Sequence, residues 1–245
     1  NATLRRTRAI QADAGSFALT GQDAALRAAR TISVATGVYG LAGNNASLLA
    51  SRKIVANSGT HNLSGQAASL LADRLIVASS GTFALTGQDA DLEYDALDPV
   101  LQAESGAFTA TGGDASLLVG RKVVATSGAV ALTVQAAGLK ATRIIVAGSG
   151  VFALTGQDAT LVYDATDPTL NAGNGAFALA GSDASLQTAR KLTADSGSLT
   201  ASGQAALLKV GRVVTGEGAF ALSGQAAALL ATRKLVADAG SFVLV

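Results

Sequence analysis

An all-β repeat fold of about eleven 22-residue units, each with three short strands, follows from three features of this sequence. Glycine returns at Gly15, Gly37, Gly59, Gly81, Gly106, Gly128, Gly150, Gly175, Gly197, Gly218 and Gly240, at spacings of 22, 22, 22, 25, 22, 22, 25, 22, 21 and 22. After each glycine, large apolar residues alternate with small or polar ones, the period of a half-buried strand and not of a helix. Two slots are constant: the ninth residue after the glycine is Ala and the eleventh is Leu in every complete repeat, from Ala24 and Leu26 to Ala227 and Leu229. Residues 1–245 therefore form one elongated array, with incomplete repeats at both ends, in which each unit touches mainly its neighbours.

The first repeat shows why each element forms. Phe17 and Leu19 alternate with Ser16, Ala18 and Thr20, which defines a first strand with one buried face. Thr20-Gly21-Gln22-Asp23 reads as a turn, with Gly for unusual backbone angles and Asp for local hydrogen bonding. Ala24 and Leu26 open a second strand, and Ile32 and Val34 lie in a third that ends at the next glycine. The break between the second and third strands comes from the two 25-residue repeats. Their extra residues carry Asp98-Pro99 and Asp167-Pro168, which fit a surface turn and not a paired strand. Gly120 and Gly211 fall at the same point.

Two architectures satisfy this pattern. In the preferred one, a β-solenoid, each repeat is a three-sided coil and coils stack by parallel pairing at about 4.8 Å. In the other, the strands form antiparallel hairpins wrapped with other chains into an interwoven trimeric β-prism or spiral. The five-residue offset between Leu19 and Ala24 suits a four-residue hairpin loop. In both, burial of a Leu or Phe at about 1.5–3 kcal/mol each offsets the ordering entropy only when many layers stack.

Composition narrows the class. With 49% hydrophobic and 14% charged residues, the chain is too apolar and too weakly charged to be disordered. Its 28 glycines follow no Gly-X-Y period, which excludes collagen. The net charge is +1 with basic residues spread along the chain, so nucleic acid is not an expected partner. No apolar run reaches membrane-spanning length, and no secretory leader pattern opens the sequence. Cysteine is absent, which removes disulfides and thiol ligands. The absence of methionine and the half-repeats at both ends are expected of a processed chain or a segment of a longer one.

Candidate chemistry is sparse. His61, the only histidine, stands in the slot that holds Phe17, Phe83, Phe108, Phe152, Phe177 and Phe220 elsewhere, so it reads as a packing substitution. Asp23, Asp89, Asp114, Asp158 and Asp183 recur at one turn position and read as turn formers, with calcium along the repeat edge as the alternative. Arg8, Arg30, Arg52, Arg74, Arg121, Arg143, Arg190, Arg212 and Arg233 all fall fifteen positions after an anchor, the one for Arg8 being extrapolated by one period before Gly15. Stacked, they would form a ladder for a polyanion or a partner, or lie over the apolar edge. The inserts, with Tyr94, Asp95, Asp98 and Pro99 and with Tyr163, Asp164, Asp167 and Pro168, are candidate docking loops. Outward slots mix Ala, Ser, Thr, Asn and Lys and lack the regular Thr-x-Thr row of an ice-binding face.

Gly81-Thr-Phe-Ala-Leu-Thr-Gly-Gln-Asp-Ala-Asp-Leu92, matched again by Gly150 to Leu161, resembles the repetitive Gly-x-Phe-x-Leu-Thr-Gly-Gln-x-Ala-x-Leu proteins of tailed bacteriophages and prophages. The likeness covers nearly the whole chain. Val134 in place of the turn glycine, and Gly112-Gly113 in place of Gly-Gln, depart from it. The resemblance implies a virion structural or fibre protein and supplies no catalytic residues. The expectation is a non-enzymatic, self-associating rod, as a homotrimer or filament, without cofactor or metal. It would sit in a virion or at the cell surface beside other virion or surface proteins. A bacterial surface filament or adhesin, and a module binding polyanions or calcium, are the alternatives.

Overall fold

The computed structural model describes all residues except 1, 7, 29, 51, 73, 74, 95–99, 120, 121, 142, 143, 164–168, 189, 190, 212, 232, 233 and 238–240. The described chain is all β-strand and turn, without a helix. Seven of the ten complete repeats supply three separate strands as their pattern predicts, for example Ser16–Thr20, Asp23–Ala28 and Thr31–Val34. Every strand pair is parallel and joins the same strand of successive coils. The third strands form an eleven-stranded sheet, and the first and second strands share a nineteen-stranded one. The molecule is therefore a parallel β-solenoid, a rod of roughly 50 Å at about 4.8 Å per coil.

The antiparallel hairpin alternative is not what forms. The offset between Leu19 and Ala24 arises because both face the interior on either side of a corner: Leu19 packs against the core and Ala24 is fully buried. Pairing stacks like on like. Ala24, Ala46, Ala68 and Ala90 occupy consecutive rungs, as do Leu26, Leu48, Leu70 and Leu92, all buried. The third strands contribute a β-branched column, Ile10, Ile32, Ile54 and Ile76, whose shape suits a pleated, buried face.

The first corner departs from the sequence reading in two ways. In three coils the turn is absent, because Thr82–Tyr94, Ala107–Val119 and Ala129–Ala141 each run through the corner as one strand. Gly87, Gly112 and Val134 pair with one another there, so the ladder is kept across the bend. Elsewhere the corner switches direction: Gly43 N–H donates forward to the Ser64 carbonyl at 3.1 Å, and Asn45 N–H donates back to the Gln22 carbonyl at 3.1 Å.

The corner glycines are also not there for unusual backbone angles. Among the described residues only Gly216 has a positive φ, 149°. The reason is stacking distance: a Cβ on Gly43 would lie 2.3 Å from the Gly21 carbonyl oxygen, and one on Gly37 would lie 2.0 Å from that of Gly15. Glycine is the residue that lets backbone stack on backbone this closely.

Candidate functional surfaces

The coil has three outward faces and three corners, and the chemistry-bearing residues sort onto them by repeat position. Arg8, Arg30 and Arg52 stand at the second corner, one coil apart and all exposed. Their carbonyls accept from Thr31, Lys53 and Leu75 N–H at 3.2, 3.0 and 3.1 Å, which fixes the row at the spacing of the coils. Arg74, Arg121, Arg143, Arg190, Arg212 and Arg233 lie outside the described residues. So do Asp95, Asp98, Pro99, Asp164, Asp167 and Pro168. Tyr94 and Tyr163 are the last residues of the strands Thr82–Tyr94 and Asp158–Tyr163, at the same repeat position.

The aspartate row is aligned by pairing. Asp23 pairs with Asn45, Asp89 with Asp114 and Asp158 with Asp183. Asn45 Nδ2 donates to Asp23 Oδ1 at 2.8 Å, and Ser116 Oγ donates to Asp91 Oδ1. Ala67 and Ala136 interrupt the row. Among the described residues no three His, Cys, Asp or Glu side chains converge as a metal ligand group.

His61 lies where the repeat puts it, inside the rod. It belongs to an aromatic stack in which Phe17 and Tyr39 are 5.0 Å apart, Tyr39 and His61 5.5 Å, His61 and Phe83 5.6 Å, and Phe83 and Phe108 5.5 Å. Val130 ends this stack, and Phe152 on Phe177 continues beyond it at 5.0 Å. His61 is 0% exposed, and neither ring nitrogen has a hydrogen-bond partner. Burial pushes its pKa down to about 4, because the charged imidazolium would lose its hydration without a counter-charge. The Tyr39 hydroxyl is equally unpartnered, and burial raises its pKa well above the usual phenol range.

Two depressions mark the outer surface of the rod. A shallow, mostly apolar one of about 410 Å³ on the second-strand face opens where Gly138 leaves a gap beside Leu118 and Val162. A groove of about 710 Å³ follows the anchor-glycine corner past Ser149, Asn174, Ser196 and Glu217. The hydroxyls along that corner escaped the sequence reading. Ser58, Ser80, Ser105, Ser127 and Ser149 each precede an anchor glycine and are exposed, and their recurrence at one offset was the available signal.

The outward slots are also less mixed than the linear sequence suggests. Lys53, Lys122 and Lys191 stand on the third-strand face, and Lys140 and Lys209 on the second. The first-strand face holds only Ala, Ser, Thr, Val, Gly and Asn among its described outward residues.

No protein-family model matches the chain, and comparison with curated proteins and with solved structures gives no match. Fold and surface chemistry are therefore what bear on function.

Proposed function

We propose that this chain is a non-enzymatic structural rod, a segment of a fibre in a phage tail or another virion appendage. The observation that carries the reading is the unbroken stack. Parallel pairing runs from the strand Ala2–Arg6 to the strand Ser241–Leu244, and a continuous Leu, Ala and Phe core fills it. A fold whose every coil repeats the last supplies length and stiffness and concentrates no chemistry in one place. The repeat motif Gly81 to Leu92, with its likeness to tailed-phage repeat proteins, supports the virion as the setting.

Gold-labelled antibody raised against the chain, imaged by electron microscopy on particles and cells from the source culture, tests this. Label along a virion appendage supports the reading. Label on cell-surface filaments replaces it with the adhesin alternative, and label confined to the cell interior overturns both.

A further inference from the structure

The three faces of the rod differ in one respect that the repeat alone does not require. From Ser16–Thr20 to Ser241–Leu244, every first strand is without Asp, Glu, Lys or Arg. The other two faces carry the charges: Arg27, Asp91, Glu93, Lys140 and Lys209 on the second strands, and Lys53, Lys122 and Lys191 on the third. The first-strand face is open to solvent, with Val38 45%, Val151 44% and Val243 45% exposed. A solvated face normally carries charge, and this one shares the charge depletion of an interface core.

We propose that this face is a pairing surface and that its occupant is a second copy of the same chain, laid side by side, face to face. Three arguments select the copy. The face runs the described length of the rod with uncharged, mostly small residues in every coil, and a second copy of the chain matches it in length and coil spacing. Its area is about 850 Å² from eleven strands at ~4.8 Å and five residues at ~3.3 Å. Two such faces bury about 1,700 Å² together, within the range of stable, specific interfaces. Finally, it is the one face that meets its own copy without opposing like charges. The lysine column of the third strands would face itself in a two-fold pair, at a cost to association. Small side chains on both sides let the two sheets approach to about 10 Å or less.

The pairing rests on the rod fold and adds a lateral contact to the fibre reading. Failure of the contact would leave antibody labelling of appendages unaffected. Sedimentation equilibrium and small-angle X-ray scattering on the whole chain test it. The wild type is expected at twice the 24.1 kDa chain mass, with its long dimension still near 50 Å. Ala84→Glu with Ala153→Glu places two charges on the face, three coils apart, and is expected to sediment at one chain mass with an unchanged β circular-dichroism spectrum. Thr31→Glu with Thr169→Glu adds the same charge to the third-strand face beside Lys53 and Lys191 and is expected to stay paired.

A second variant does not depend on tolerating charge. Ala131 lies in the middle column of the sixth of the eleven first strands, near the two-fold axis of such a pair. In this cysteine-free chain, Ala131→Cys is expected to give a covalent dimer with a bis-maleimide of about 10 Å span. A wild type at one chain mass overturns the proposal, and thermal hysteresis in that solution would reassign the flat face to ice. A doubled mass with a doubled length, which is end-to-end joining, overturns it. So does a paired Ala84→Glu, Ala153→Glu variant.

Discussion

At the residue scale, the aromatic stack holds two polar side chains that its geometry does not satisfy. The Tyr39 hydroxyl and the His61 imidazole stack between phenylalanines with no hydrogen-bond partner. A buried group left unpaired costs about 1–3 kcal/mol, so Tyr39→Phe is expected to raise stability by about 1 kcal/mol in urea unfolding. His61 adds a pH dependence. It titrates near 6.5 when exposed and near 4 in the rod, so the unfolded chain takes up the proton first as the pH falls. Its contribution is intact above pH 6.5, erodes between 6.5 and 4, and adds no further loss below that window. A shift of this size corresponds to about 3 kcal/mol in total. His61→Phe, which restores the commonest residue of that slot, is expected to be more stable and to flatten stability across that window. An unchanged pH profile would disprove the assignment.

Two glycines give a paired test on the same scale. A Cβ on Gly128 would lie 2.0 Å from the Gly106 carbonyl oxygen, whereas one on Gly138 would meet nothing within 4 Å. Gly128→Ala is expected to lose ~1–3 kcal/mol through forced backbone displacement. Gly138→Ala is expected to gain about 0.5–1 kcal/mol by reducing the freedom of the unfolded chain. Thermal melts of the two variants should therefore move in opposite directions.

At the element scale, the strands and the second corner were legible and the first corner was not. Phe17, Leu19, Ala24, Leu26, Ile32 and Val34 mark the inward slots of three strands because side-chain direction in a strand follows sequence parity. The Asp-Pro inserts located the second corner because proline cannot join a ladder. At the first corner the same glycine, as at Gly21 and Gly87, breaks the strand in one coil and lies within it in another. That outcome depends on whether the neighbouring coils keep pairing, a property of the stack and not of the local tetrapeptide. The surfaces followed the same rule. The arginine row could be read because one residue type recurs, whereas the charge-free face is defined by what is missing and shows only once strands are assigned to sides. Pairing is continuous across the first insert, with Leu75 on Val100 and Val100 on Lys122, so the three extra residues do not shift the third strands. Deleting residues 95–97 is accordingly expected to change stability by no more than about 0.5 kcal/mol, the range of surface changes. A large loss would show that the insert braces the rod.

At the scale of the whole molecule, parallel stacking sets the direction of every interstrand hydrogen bond. Those bonds point along the rod, so a pull on its two ends is borne by the rungs in series, and they give way one at a time and not all together. A coil that lets go releases 22 residues, up to about 75 Å of extended chain, in place of ~4.8 Å of rod. Pulled in an optical trap, the chain should lengthen in repeated steps of roughly 70 Å at nearly constant force. A single cooperative rupture would contradict the nearest-neighbour character of the stack. A stack built this way is stiff at rest yet would yield by many times its length under overload, a mechanical property that the parallel stacking alone confers.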